Sequence, residues 1–274
     1  GCLMLSAFLG AVTGCVSSSR LVEKGIELEK AGDEEGARGC YNRAAVNDPD
    51  NARAFFKRGH LKEKRNDLEG AIEDYSSALN IQPDFLEALF SRGSAREQTG
   101  DIHGAVADYS RLIEKNPNNS IVYVQRGYLW IQTREFEKAH QDFNQAIQNN
   151  PFSAPAYNNR GIARFYMQDY PGAMSDFNQA IGLDPDYANA YNNRGNLWLQ
   201  KEKYDLAVRD FSNAVSIRPD YPNPYLNRGL VFFNRADYSR ALRDLEKSVN
   251  LDPGFLEKVA PYIQECRVKI KQKK

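Results

Sequence analysis

The sequence has no surplus of charge: 36 basic residues stand against 36 acidic ones, leaving the chain formally neutral at pH 7. A neutral chain has no electrostatic footprint for a phosphate backbone or an anionic lipid surface. That excludes a generic nucleic-acid or membrane-surface binder and makes partner recognition local. Catalytic machinery is equally scarce. The three histidines, His60, His103 and His140, form no His-Glu-x-x-His motif, and the four cysteines contain no Cys-x-x-Cys pair. No metal site is expected from such spacing. Glycine-rich phosphate loops are missing, because the glycines follow another rule. The most apolar stretch, Leu3 to Thr13, is about half the roughly twenty residues needed to span a bilayer. No enzyme activity, cofactor or small-molecule substrate is therefore expected. A composition 42% hydrophobic and 26% charged belongs to a folded chain rather than a disordered one.

What the sequence does have is a period. Glycine recurs every thirty-four residues, at Gly25, Gly59, Gly93, Gly127, Gly161, Gly195 and Gly229. Alanine does so from Ala37 to Ala241, and proline from Pro49 to Pro253. With copies starting at residues 18, 52, 86, 120, 154, 188 and 222, these are positions 8, 20 and 32 of each. Small residues at 8 and 20 let two helices approach closely. Proline at 32 stops the second helix, since it lacks an N–H donor and restricts the residue before it. Position 4 is apolar or aromatic from Leu21 to Tyr225, and position 24 is aromatic from Tyr41 to Phe211, becoming Leu245 in the last copy. These side chains fill the space between helices. Aspartate at position 16 in five copies (Asp33, Asp67, Asp101, Asp169, Asp237) marks the turn, where its carboxylate can accept from the orphan amides of the second helix.

This set of spaced positions resembles the tetratricopeptide-repeat family across residues 18–255, cut as 18–51, 52–85, 86–119, 120–153, 154–187, 188–221 and 222–255. The resemblance implies an all-α, right-handed superhelical solenoid of seven helix-turn-helix repeats. Residues 256–274 read as a capping helix over the last repeat, with Leu256, Val259 and Ile263 on one apolar face. The segment ends in a frayed basic tail of Lys269, Lys271, Lys273 and Lys274.

Where the family usually has leucine at position 7, six copies carry arginine: Arg58, Arg92, Arg126, Arg160, Arg194 and Arg228. Position 23 is aspartate in the same six, as Asp74, Asp108, Asp142, Asp176, Asp210 and Asp244, while the first copy breaks both with Lys24 and Cys40. The joint departure predicts a partly buried ladder of structural ion pairs, each arginine meeting an aspartate of its own or an adjoining repeat. Asp142→Ala is then expected to lower stability more than loss of an unpaired surface residue such as Asp205.

In the family, first helices line the concave face through positions 2, 5, 6, 9, 12 and 13. Repeats 1 and 2 place charge there: Glu23, Glu29, Lys30, Arg53, Lys57, Glu63 and Lys64. Later repeats place amides: Gln125, Asn158, Asn159, Asn192, Asn193, Asn196, Asn223, Asn227 and Asn234. The run Gln125, Asn159, Asn193, Asn227 is similar to the asparagine ladder in the repeat array of O-linked N-acetylglucosamine transferases, where such amides hold an extended peptide backbone. An asparagine offers a donor and an acceptor without reading the partner's side chains. Tyr128, Phe165, Tyr166 and Phe233 could add apolar pockets beside it. The chaperone-binding carboxylate clamp is not met, because Asn192 stands where its lysine should be and Asn223 and Asn227 replace its basic pair.

The run Val12-Thr13-Gly14-Cys15 resembles a bacterial lipobox. This implies a signal peptide over 1–14 with a truncated start, lipid attachment at Cys15, and residues 15–17 as an anchored linker. Val16 rather than aspartate after the cysteine favours the outer membrane. Cys40 and Cys266, far apart along the stack, are not expected to form a disulfide. The expected function is a non-catalytic protein–protein interaction scaffold, an outer-membrane lipoprotein of the bacterial envelope facing the periplasm. It would bind extended peptide or protein partners, in envelope assembly or enzyme recruitment. The alternative is the substrate-recognition module of an enzyme whose catalytic part is not in this chain.

Overall fold

The computed structural model describes residues 16–272. The expected signal segment 1–14, Cys15, and Lys273 and Lys274 lie outside the described residues. Among the described residues all regular structure is helical, and the chain divides into two compact units, Gly1–Pro117 and Asn118–Lys274.

The first unit holds α1 (Ser18–Lys30), α2 (Glu34–Asn47), α3 (Ala52–Lys64), α4 (Leu68–Ile81), α5 (Leu86–Thr99) and α6 (Ile102–Lys115). The second holds α7 (Ser120–Gln132), α8 (Phe136–Asn149), α9 (Ala154–Tyr166), α10 (Tyr170–Leu183), α11 (Ala188–Gln200), α12 (Tyr204–Ile217), α13 (Pro222–Asn234) and α14 (Tyr238–Leu251). A 3-10 turn at Pro253–Phe255 and α15 (Leu256–Gln272) close the second unit. No described helix is long and apolar enough to cross a membrane.

Each helix pair is bounded by local chemistry. The first helix ends in a left-handed residue at position 15, glycine only at Gly32 and Gly100, and otherwise Asn66, Arg134, Gln168, Glu202 and Ala236. Around it the chain closes with a six-to-one hydrogen bond, as from the Asp237 amide to the Phe232 carbonyl at 3.0 Å, and a tighter bond from Ala236 to Phe233 at 2.9 Å. This reversal captures the last carbonyls of the first helix. The five aspartates at position 16 then cap the second helix, Asp33 accepting from the Gly36 amide at 2.9 Å and Asp169 from Gly172 at 2.9 Å. Helices α8 and α12 start without a side-chain cap, at Glu135 and Lys203.

Packing within a repeat is set by positions 8 and 24. Tyr41, Tyr75, Tyr109, Phe143, Phe177, Phe211 and Leu245 are at most 1% exposed, each burial worth about 1.5–3 kcal/mol. The first five and Phe211 press their ring edges against the position-8 glycine opposite: a Cβ added to Gly161 would lie 2.6 Å from Cε1 of Phe177. Only a residue without a side chain admits the ring there.

Helix α15 covers the last repeat through Val259, Ile263 and Cys266, which pack toward Leu226, Leu245, Phe232 and Ala241. Leu256, assigned by pattern to this face, is instead 52% exposed. The 3-10 turn puts Phe255 against the cluster, and the buried stripe becomes Val259–Ile263–Cys266. The basic tail does not fray at Lys269 and Lys271, because α15 runs on through Gln272.

Candidate functional site

The position-7 arginines meet the position-23 aspartates of their own repeats. Arg160 donates from Nε and Nη2 to the two carboxylate oxygens of Asp176 at 3.0 and 2.7 Å. The same fork joins Arg58 to Asp74, Arg92 to Asp108, Arg126 to Asp142, Arg194 to Asp210 and Arg228 to Asp244, at 2.6–2.9 Å. In four repeats the third nitrogen reaches back to the preceding second helix: Nη1 of Arg92 donates to Ser76 at 3.0 Å, of Arg160 to Asn144 at 2.8 Å, of Arg194 to Asn178 at 2.8 Å and of Arg228 to Ser212 at 2.9 Å. In five of the six repeats a position-4 ring lies beside the guanidinium, as Tyr157 does at 5.3 Å from Arg160. In three repeats position 11 adds a cation to the same carboxylate: Lys62 at 3.0 Å from Asp74, Arg96 at 2.8 Å from Asp108 and Arg164 at 2.9 Å from Asp176. The hydrogen bonds that Arg58 and Arg194 donate to Asp74 and Asp210 hold both above the usual guanidinium pKa. Each aspartate of this ladder is forked by the arginine of its own repeat, a pairing that sets register. Asp205, expected to be unpaired, accepts from Arg235 of the next repeat at 2.6 Å. The short turn before α12 brings it under the end of α13.

In the first unit several charges of the first helices are paired within the protein. Arg53 donates to Glu23 at 2.5 Å, Lys64 pairs with Glu29, and Glu63 accepts from the Tyr75 hydroxyl at 2.6 Å. Burial would raise the Glu29 pKa, but hydrogen bonds from Lys64 and Tyr41 bring it below its ordinary value.

The second unit differs in kind. At positions 2, 5, 6, 9, 12 and 13 of α7, α9, α11 and α13 there is no charged residue. The amides there form a chain of hydrogen bonds. Asn158 Nδ2 donates to Asn159 Oδ1 at 3.0 Å, Asn193 Nδ2 to Asn158 Oδ1 at 2.9 Å, and Asn192 Nδ2 to Asn193 Oδ1 at 3.4 Å. Asn227 Nδ2 is shared between the Oδ1 atoms of Asn192 at 3.3 Å and Asn196 at 2.9 Å. Two members do not face a groove as expected: Asn158 is 2% exposed and Asn192 4%. Position 5 turns toward the next first helix, and these two act as struts that aim Asn193 and Asn227. After these bonds, the amide nitrogens of Asn159 and Asn196 and the carbonyl oxygen of Asn227 have no partner among the described residues, and the last two belong to side chains joined by the 2.9 Å bond.

Next to them opens a cavity of about 200 Å³ lined by Ile162, Phe165, Tyr166, Phe177, Asn193 and Asn196. Its aromatic wall is braced: Tyr166 stacks on Phe136 at 4.7 Å, and Phe165 meets Tyr166 and Tyr170 edge-on at 5.6 Å each. Tyr166 is 53% exposed at the mouth. Of the residues named from the sequence, Phe165, Tyr166, Asn193 and Asn196 converge on this cavity. Asn159 and Asn227 lie on the ladder beside it. Gln125 is half-buried, and Tyr128, Asn223 and Asn234 are exposed, outside both cavity and ladder. Ile162 was missed as a wall, although it holds position 9, the place of Asn196 one repeat later; Phe177 read only as core. Among the described residues no group of His, Cys, Asp or Glu is placed to hold a metal, and Cys40 and Cys266 are both free and buried.

Two family models match the chain, one described as TPR repeat over residues 64–100, 163–202 and 195–235, and one as tetratricopeptide repeat over 90–154. No curated protein matches. Among solved structures, a tetratricopeptide repeat protein from Parabacteroides merdae ATCC 43184 is 23% identical with a TM-score of 0.74, covering 91% of this chain and 98% of that one. YrrB, a TPR protein with an unusual peptide-binding site, is 20% identical with a TM-score of 0.61, over 68% of this chain and 96% of its own. The pilF protein of Pseudomonas aeruginosa is 18% identical with a TM-score of 0.64, over 80% and 97%. These likenesses show the fold.

Proposed function

We propose, from the premise that this chain is built of tetratricopeptide repeats, that it is a non-catalytic scaffold whose second unit holds an extended segment of a partner protein. The observation that carries this reading is the asparagine ladder, which ends in an unpartnered donor at Asn196 and acceptor at Asn227. A peptide unit offers one acceptor and one donor, and first helices about 8–10 Å apart match roughly three residues of extended chain. The neutrality of this face suits main-chain recognition, and the solved YrrB fold with its peptide-binding site supports the same use. The test is affinity for peptides selected from a displayed random library against the full chain. Changing Asn196 and Asn227 together to Ala is expected to weaken such peptides roughly tenfold or more, at about 0.5–1.5 kcal/mol per lost hydrogen bond. Unchanged affinity would overturn the reading.

The proposal extends to location, with Cys15 as a lipid anchor in the outer membrane of a bacterial envelope. It is supported by the lipobox-like Val12-Thr13-Gly14-Cys15 and by the start of α1 at Ser18, which leaves only Val16 and Ser17 between anchor and first helix. Radiolabelled palmitate should enter the protein and be lost in Cys15→Ala; a wild-type chain without label would remove the anchor.

A further inference from the structure

The cavity on α9, α10 and α11 is too small for a cofactor-sized ligand, since pockets that enclose one measure about 300–1,000 Å³, against about 200 Å³ here. It is the right order for one side chain. Three of its six lining residues, Phe165, Tyr166 and Phe177, are aromatic and a fourth is Ile162. The two polar ones, Asn193 and Asn196, belong to the amide ladder. Phe165 and Tyr166 are held by edge-on and stacked neighbours, so the wall exists before anything enters. Pre-formed walls lower the ordering cost of binding.

Charge decides what kind of segment fits. No groove position of α7, α9, α11 or α13 carries a charge, whereas the groove positions of α1 and α3 include Glu23, Glu29, Arg53, Lys57 and Lys64. A charged residue entering the second unit's face would lose water and find no counter-ion there. Nucleic acid suits this face poorly on the same ground, because none of these groove positions carries a cation for a phosphate, and Arg218 beside them is engaged by Asn189 at 2.7 Å.

We infer that this cavity is an anchor pocket for one aromatic side chain of an extended, locally uncharged partner segment, with Asn196 and Asn227 holding the peptide unit beside it. The inference rests on the peptide-binding reading above and adds the chemistry of the bound segment. Aromatic rings in the wall favour an incoming ring edge-on or offset, and the carbonyl next to that ring is placed for the Asn196 amide.

The experiment uses the full chain and peptides selected from a displayed random library. Selected peptides should share one aromatic position with uncharged neighbours, and replacing that residue by Lys should weaken binding about ten- to hundred-fold, the factor that burial of one aromatic supports. Two variants then address the pocket: Ile162→Trp, which fills it, and Tyr166→Asp, which puts a carboxylate at its exposed mouth. Both should weaken the aromatic peptide by a similar factor. Tyr166→Asp should also bind the Lys version more tightly than wild type does, a gain that misfolding cannot imitate. Peptides that bind through charged residues, or whose affinity neither variant alters, would overturn the anchor pocket and leave the peptide-binding reading standing. A library that yields no binder would overturn both.

Discussion

Removing the carboxylate of Asp176 is the sharpest test of what holds a repeat together. Its side chain is 2% exposed and accepts three charge-assisted hydrogen bonds, two from Arg160 and one from Arg164, whose own side chains are 15% and 22% exposed. In Asp176→Ala two guanidinium groups face each other without their shared counter-ion. Deleting one partner of a buried pair costs about 3–5 kcal/mol, and the partial exposure of both arginines lets them turn toward water, which favours the lower end, about 3 kcal/mol. Asp142 offers a graded comparison, because position 11 of its repeat is Trp130 and Arg126 is the cation forked onto it. Asp142→Ala should cost less, about 2 kcal/mol. The exposed Asp220 serves as control, expected within about 0.5 kcal/mol of wild type. Urea unfolding followed by far-UV circular dichroism gives the totals. Amide hydrogen exchange in α9 and α10 tells whether the loss is local, as a stacked repeat requires. A double-mutant cycle should show Arg160→Ala costing about 1–3 kcal/mol less in the Asp176→Ala background than in wild type. If Asp176→Ala matched Asp220→Ala, or if the two ladder mutations simply added, the ladder would not be a coupled structural element.

Three further outcomes are expected. Gly161→Ala should destabilise by about 1–3 kcal/mol despite the better helix propensity of alanine, because its Cβ would come 2.6 Å from Phe177; a rise in Tm would contradict the packing argument. Ala236→Gly should stabilise by up to about 1.5 kcal/mol, since Ala236 sits at a φ of 57°, where a side chain costs about 1–2 kcal/mol and the added unfolded-state freedom of glycine takes back about 0.4–1 kcal/mol. Alkaline stability depends on Tyr41 and Tyr75: burial first, then hydrogen bonds to Glu29 and Glu63, raise their phenol pKa well above the ordinary value. A raised pKa contributes stability fully below the unfolded value of about 10, and that stability declines above it by about 1.4 kcal/mol per pH unit per group. Urea midpoints between about pH 9 and pH 11 should fall more steeply for wild type than for the Tyr41→Phe, Tyr75→Phe double variant; parallel curves would refute the assignment.

The helix boundaries were legible because every determinant is local. The position-16 aspartate caps the helix that starts one residue later, and the position-32 proline lies just beyond its end. The close contact of positions 8 and 24 joins residues sixteen apart on two helices of one hairpin, so a strict repeat of Gly and aromatic announces it. The left-handed position 15 was not legible. Glycine stands there only at Gly32 and Gly100, and at Ala236 the six-to-one closure of the helix end overrides residue preference.

For the candidate site the sequence determined composition: a neutral face rich in amides and rings in the later repeats, and a charged one in the first two. It also determined that arginine at 7 and aspartate at 23 travel together. Tertiary structure decided direction. Asn158 and Asn159 are the same residue type one position apart, yet the close approach of α11 buries the first as a strut and leaves the second partly open. The cavity needs Ile162, Phe165 and Tyr166 from α9, Phe177 from α10, and Asn193 and Asn196 from α11. No single helix contains it, because a concave site arises from the distance and rotation between helices, and those follow from how the buried side chains pack.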